Sequence, residues 1–336
     1  MIRVENLVKY YGDFQALRSI NFEIHDGEIV GFLGANGAGK STTLKIMTGF
    51  LTPTSGNVHV NELNILDHSL EIREQIGYLP ELNPLYLEMK VFDYLEFNAR
   101  IRQMDVSAFK QGLDRVVDDC GLKGVMHLPI SACSKGYKQR VGLAAAMIHD
   151  PKMLILDEPV SGLDPNQIVE IRELIKNLGQ EKIVIMSSHI LQEIEATVNR
   201  ILIIHEGEIV ADGTSQGLMA SFKGRTQLTL EVKYASDESL SGLGNQVAGI
   251  DVVGTEAVNG HHVVSLEYDG GSDPREDIFN YAKGADWAIL EMSQSRVELE
   301  DVFRRLTVDQ PAAESQSAPA EAPSPPTGEE GGAADE

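Results

Sequence analysis

The residues best suited to chemistry stand in two short stretches far apart in the chain. Gly34-Ala35-Asn36-Gly37-Ala38-Gly39-Lys40-Ser41-Thr42 places three glycines ahead of a Lys-Ser-Thr triplet, between an apolar segment and the helical pattern Thr43-Leu44-Lys45-Ile46-Met47. Glycines without Cβ atoms let the backbone turn tightly and aim successive N–H groups at phosphate oxygens, and a helix N-terminus adds its positive dipole end. In that setting Lys40 is expected to reach the β- and γ-phosphates of a nucleotide and the Ser41 hydroxyl to ligate Mg²⁺. The second stretch, Leu154-Ile155-Leu156-Asp157-Glu158-Pro159, puts two carboxylates at the end of a strand-like run. Carboxylates at the mouth of a sheet are costly unless compensated, and a metal–nucleotide complex would compensate them. Asp157 is then expected to hold the metal through its waters, and Glu158 to orient and deprotonate an attacking water. A Gly-rich turn with a surface lysine and a pair of solvated acids would use the same residue types. The full spacing and the presence of both stretches favour phosphate chemistry.

The elements that must position these groups follow from periodicity. Ile29-Val30-Gly31-Phe32-Leu33, Met153 to Leu156 and Ile183-Val184-Ile185-Met186 are near-continuous apolar runs bounded by turn residues, as expected of strands covered on both faces. Short apolar segments alternate with helical patterns from residue 1 to about 220, which predicts an α/β fold with a mostly parallel core sheet. Phe109, Leu113, Val116, Val117 and Cys120 fall at helical spacing, so about 92–150 reads as a helix-rich insertion.

Beyond about 220 the rhythm changes. Leu228, Leu230 and Val232 alternate with polar residues, Asn259-Gly260 is a hairpin turn, and Val264, Leu266 and Tyr268 alternate again. Helical patterns follow the first and third strands, Ala288-Ile289-Leu290 reads as another strand, and Leu299, Val302, Phe303 and Leu306 stripe a final helix. Residues 221–307 are therefore expected to form a small α+β domain, with a ferredoxin-like arrangement as one candidate. Residues 308–336 are rich in Pro, Ala, Ser, Gly and acid, a composition expected to stay disordered. His261-His262 lacks the partners a metal site needs and is given no ligand role.

Composition narrows the classes of function. The 336 residues carry 28 basic and 51 acidic side chains, a formal charge of −23, which argues against capture of nucleic acid or anionic lipid. Only Cys120 and Cys133 occur, at a spacing that suits neither a disulfide framework nor a zinc site, so an intracellular, reducing setting is expected. Ile2-Arg3-Val4 begins a strand-like segment without a signal-peptide pattern, and no apolar stretch approaches the ~20 residues of a spanning helix.

With these residues in place the chain resembles the ABC ATPase family, in particular cassettes of the ABC-2 or drug-exporter type, with similarity to gliding-motility-associated ATP-binding subunits. The resemblance spans residues 1 to about 307. Tyr11 before Gly12 matches the aromatic that stacks on adenine. Cys133-Ser134-Lys135-Gly136-Tyr137-Lys138-Gln139-Arg140 stands where the family carries Leu-Ser-Gly-Gly-Gln, keeping the serine and one glycine. In the family this segment binds the γ-phosphate held by the opposite subunit, a role the resemblance carries to Ser134 and Gly136. Ser161-Gly162-Leu163-Asp164 matches the loop that crosses the dimer interface, and His189 matches the histidine that senses the γ-phosphate. Most of the family has Gln at the position of Glu81 in Ile76-Gly77-Tyr78-Leu79-Pro80-Glu81, so the resemblance leaves Glu81 either a metal contact or only part of a sensor loop. Leu85, Tyr86, Leu87 and Met89 fit either local core or the groove that receives a permease.

What the resemblance implies is a cassette, 1–220, that binds and hydrolyses ATP with Mg²⁺. It would pair with a second copy or a homologous cassette and drive an integral membrane permease from the cytoplasmic face of the membrane. Two other readings use the same motifs. A nucleic-acid-associated ABC ATPase is disfavoured by the acidic balance and the single cassette, and a nucleotide-responsive module without hydrolysis is disfavoured by the complete Asp157-Glu158 pair.

Overall fold

The structure, a computed structural model, describes residues 1–221, 226–258, 260–268, 273–295 and 299–308. Of the proposed tail, 308–336, Val308 ends the last helix and 309–336 lie outside the described residues, as does Asn259 of the hairpin turn. In chain order, β1 (Ile2–Tyr11) and β2 (Phe14–Ile24) pair antiparallel, and β3 (Ile29–Leu33) leads into α1 (Lys40–Met47). There follow β4 (Ser55–Val60), β5 (Leu63–Asn64), α2 (Ser69–Gln75) and β6 (Ile76–Leu79). The helix-rich insertion holds α3 (Val91–Ile101), α4 (Val106–Asp119) and α5 (Lys135–Met147). Then come β7 (Met153–Leu156), α6 (Pro165–Leu178), β8 (Ile183–Ser188), α7 (Leu191–Glu195), β9 (Arg200–His205), β10 (Glu208–Gly213) and α8 (Ser215–Ser221).

One sheet has the order β2-β1-β4-β5 and is antiparallel. The other has the order β10-β9-β3-β8-β7-β6, parallel from β9 to β6 with β10 antiparallel at the edge. The apolar runs are continuous because alternate residues bury against different layers. Leu154, Leu156, Val184 and Met186 join a cluster with α3 to α6, whereas Met153, Ile155, Ile183 and Ile185 join a second cluster with α1 and the antiparallel sheet. Each such side chain contributes about 1.5–3 kcal/mol of burial, so neither face of these strands tolerates polar substitution. Asp157 continues the Met153/Ile155 face, the one against which α1 packs.

The last part of the chain builds β11 (Thr226–Lys233), α9 (Asp237–Gln246), β12 (Ile250–Val258), β13 (His261–Tyr268), α10 (Arg275–Gly284), β14 (Ala288–Ser295) and α11 (Leu299–Val308). The antiparallel sheet order β12-β13-β11-β14 with this βαββαβ succession is the ferredoxin-like arrangement. Leu228, Leu230, Val232, Val264, Leu266 and Tyr268 form its core with Leu243 of α9 and Ile278 of α10. The final helix packs elsewhere: Leu299 and Val302 are buried in the first cluster of the α/β part, beside Leu218 of α8. Among the described residues no helix is long and apolar enough to cross a membrane. Both cysteines are buried and free, with the Cys120 thiol pushed up to about 12 by burial.

Candidate functional site

The glycine-rich loop leaves β3, whose five residues are all buried, and enters α1 at once. Two of its glycines are required by geometry. A Cβ on Gly34 would collide with the carbonyl oxygen of Ile204, and Gly39, the residue before α1, has φ 114°, a conformation other residues rarely adopt. Ala35, Asn36 and Gly37 form the solvent-facing crest of the loop, while Ala38 and Gly39 are buried behind it. The N–H groups of Lys40, Ser41 and Thr42 open the helix without intrahelical acceptors, so the loop presents donors and a helix dipole to one spot.

Lys40 is buried, and its Nζ donates to the carbonyls of Gly34 (2.8 Å) and Ala35 (3.3 Å) and lies 3.5 Å from Glu158 Oε1. The parallel pairing of β3 with β8 and of β8 with β7 brings Asp157 and Glu158 to this loop. Ser41 Oγ donates to Asp157 Oδ1 at 3.0 Å. The other oxygen of Glu158, Oε2, meets His189 Nδ1 at 3.0 Å, so one carboxylate bridges the lysine of the loop and the histidine after β8. Glu158 has φ 49°, a left-handed backbone costing on the order of 1 kcal/mol in a non-glycine residue. Its N–H is anchored by Ser187 Oγ at 3.0 Å and its carbonyl accepts from Ser161 N at 3.1 Å.

A hydroxyl and a carboxylate oxygen facing each other at the foot of a phosphate loop are the hard oxygen ligands Mg²⁺ prefers, so Ser41 and Asp157 fit that ion together with phosphate oxygens. Among the described residues no three His, Cys, Asp or Glu converge on a metal point. Glu81 is exposed at the end of β6. The Tyr78 phenol is raised above its usual value by burial and then by the charges of Asp157 and Glu81. Tyr11 lies at the rim, its hydroxyl 3.5 Å from Thr42 Oγ1 and its ring half exposed beneath Lys9.

The Ser134 segment is not brought to this loop. Ser134 is the N-cap of α5, its Oγ accepting from Tyr137 N at 3.3 Å, and Gly136 is buried against Gln167 of α6. Both line a separate hollow of about 630 Å³ with Gly121, Arg140 and Glu170. Side-chain amides tie this helix to its surroundings: Gln139 Nε2 donates to Pro159 O (2.9 Å), beside Glu158, and Asn83 Nδ2 donates to Lys138 O (3.1 Å). Lys135 lies over Gly162, and Asp164 caps α6 by accepting from Gln167 N. The 82–89 segment divides: Leu85 and Met89 pack on the core, whereas Leu82, Tyr86 and Leu87 face solvent, Tyr86 edge-on to Phe97 of α3. A second hollow of about 550 Å³ opens between Phe50, Leu70, Tyr78, Ile101 and Arg102.

Two contributors were invisible in the sequence motifs. Ser187 Oγ donates to Asp157 Oδ1 at 2.6 Å while accepting from Glu158 N, holding both acids at once. Ser188 Oγ donates to the buried Glu193 at 2.6 Å. Only the sheet order reveals the Ser187 contacts, since nothing in local spacing says that β8 lies beside β7; the Ser188 contact is local but depends on how the chain turns into α7.

The sequence model of a family described as ABC transporter matches residues 17–161. The bacitracin transport ATP-binding protein BcrA of Bacillus licheniformis is 38% identical over 214 residues, 63% of this chain and 69% of that protein. The lantibiotic transport ATP-binding protein SrtF of Streptococcus pyogenes is 37% identical over 218 residues, 65% of this chain and 92% of that protein. Among solved structures, the dimeric bacterial ABC transporter cassette MJ0796 aligns with a TM-score of 0.59 at 25% identity, covering 64% of this chain and 98% of its own.

Proposed function

The chain belongs to the ABC transporter family as an ATP-binding, ATP-hydrolysing subunit, and from that premise we propose how its residues divide the work. Residues 1–220 form the ATPase cassette with its helical part at about 92–150, and 221–307 an accessory α+β domain. The backbone of Gly34 to Thr42 and the Lys40 ammonium cradle the phosphates, and Tyr11 stacks on the adenine. Ser41 and Asp157 would hold Mg²⁺, with Glu81 at the rim; when bound, the ion neutralises charge on the β- and γ-phosphate oxygens. Glu158 accepts a proton from the attacking water, and His189 faces the γ-phosphate while steadying Glu158. The observation carrying this reading is the single carboxylate of Glu158 held between Lys40 Nζ at 3.5 Å and His189 Nδ1 at 3.0 Å.

ABC ATP-binding subunits dimerise and work with membrane permeases. The separation of Ser134 and Gly136 from the chain's own phosphate loop supports a head-to-tail pair in which each segment serves the partner's nucleotide. Closure on ATP and reopening after hydrolysis then move the attached permease, in the export direction, from the cytoplasmic face of the membrane. The exposed Leu82, Tyr86 and Leu87, and the hollow beside Phe50, Leu70 and Ile101, flank α3 and are offered for permease docking.

Lys40→Ala tests the site. Nucleotide binding and phosphate release by the purified protein are expected to fall together, turnover by at least about a hundredfold. Unchanged binding and turnover would remove the loop from the reaction.

A further inference from the structure

His189 is 41% exposed at its side chain and its ring contact is with Glu158, so little but the backbone fixes where the imidazole points. That backbone is pinned on both sides by one hydroxyl. Ser188 Oγ donates its proton to Glu193 Oε2 at 2.6 Å, which leaves its lone pairs to accept the Ile190 N–H at 3.0 Å. A hydroxyl has one proton to give, so the carboxylate decides which way Ser188 turns and with it whether the Ile190 amide is held. Glu193 is 5% exposed, and α7 is locked where it stands by Thr197 Oγ1 donating to Glu193 O at 2.7 Å. Burying a carboxylate is costly, and at Glu193 the Ser188 hydroxyl and the first turn of α7 offset that cost.

We propose that Glu193 is a positioning residue for hydrolysis. Its carboxylate orients Ser188, Ser188 fixes the turn carrying His189, and His189 is thereby presented to Glu158 and the γ-phosphate. Ser187 performs the neighbouring task for Asp157 and Glu158, so the two consecutive serines divide the site between them: Ser187 sets the acids and Ser188 sets the histidine. The inference rests on the reading of His189 given above.

The test is a double-mutant cycle on full-length purified protein, read by steady-state ATP turnover, binding of a fluorescent ATP analogue and thermal unfolding. His189→Ala is expected to lower kcat about a hundredfold, and Glu193→Ala about tenfold, with analogue affinity and KM within about twofold of the parent. Adding Glu193→Ala to His189→Ala is expected to cost no further turnover, because the first change acts only through the second residue. Glu193→Gln, which keeps an oxygen for the Ser188 hydroxyl, is expected to recover most of the turnover. Ser188→Ala reproduces the loss should Glu193→Ala fail to fold. A multiplicative double mutant, or a loss confined to thermal stability, overturns the positioning role and leaves the site reading intact. An undiminished His189→Ala enzyme overturns that reading, and the inference with it.

Discussion

Lys40 and Glu158 are each almost fully buried, and either alone would be an expensive charge. They face each other at 3.5 Å, with loop carbonyls on the lysine and a histidine on the acid, so the charges are compensated by one another and by polar neighbours. The arrangement keeps a carboxylate and a cation together at the mouth of the glycine-rich loop. A different buried group gives a prediction about stability. His149 donates from Nε2 to Ile76 O at 3.2 Å and its Nδ1 is buried without a partner. Burial, then the nearby Arg102 charge, lowers its pKa from 6.5 to about 4. The folded protein therefore keeps His149 neutral where the unfolded chain takes up a proton. Its contribution is fully present above about pH 6.5 and is lost as the pH falls toward about 4, on the order of 2–3 kcal/mol in all. His149→Gln is expected to flatten that part of the pH dependence in thermal melts between pH 4 and 7. A difference from the parent that does not change with pH would contradict the assignment.

At the scale of elements, α11 behaves as a strap. It follows β14 of the ferredoxin-like sheet, yet Leu299 and Val302 bury themselves in the cluster of the α/β part. Leu299→Ala is expected to cost about 2–4 kcal/mol, read as a lower denaturant midpoint by circular dichroism. The emission of Trp287, the chain's single tryptophan, which packs on Tyr281 in the other core, is expected to be unchanged in the folded state. An unshifted midpoint would mean that the helix is not held there. Where α11 docks was not legible in the sequence, because its stripe of Leu299, Val302, Phe303 and Leu306 says that one face is buried and not against what. Met153 to Leu156 and Ile183 to Met186 were legible as strands because burial on both faces leaves a continuous apolar run. The phosphate loop and the Asp157-Glu158 turn were legible because their chemistry demands residue types in fixed local spacing. The serines of β8 and Glu193 were not, since their partners come from strand order and from a hydroxyl's rotation. Sequence left local core and permease groove open for the 82–89 segment; Leu85 and Met89 pack on the core, whereas Tyr86 and Leu87 are exposed.

At the scale of the whole molecule, one chain holds a phosphate loop and a Ser134 segment that do not meet. A net charge of −23 opposes the approach of two copies, so their pairing has to rest on specific contacts. In the head-to-tail pair proposed above, a nucleotide at the Lys40 loop would be capped by the partner's helix α5, and association would depend on ATP and dissociation on its hydrolysis. Blocking hydrolysis while sparing binding should therefore trap the pair. The measurement is the molar mass of Glu158→Gln protein by light scattering, with ATP, with ADP and without nucleotide. The account predicts a mass near twice that of the chain with ATP alone, reverting to one chain when Ser134→Arg blocks the opposing face. A variant that stays monomeric with bound ATP, or that pairs equally in every state, would contradict it.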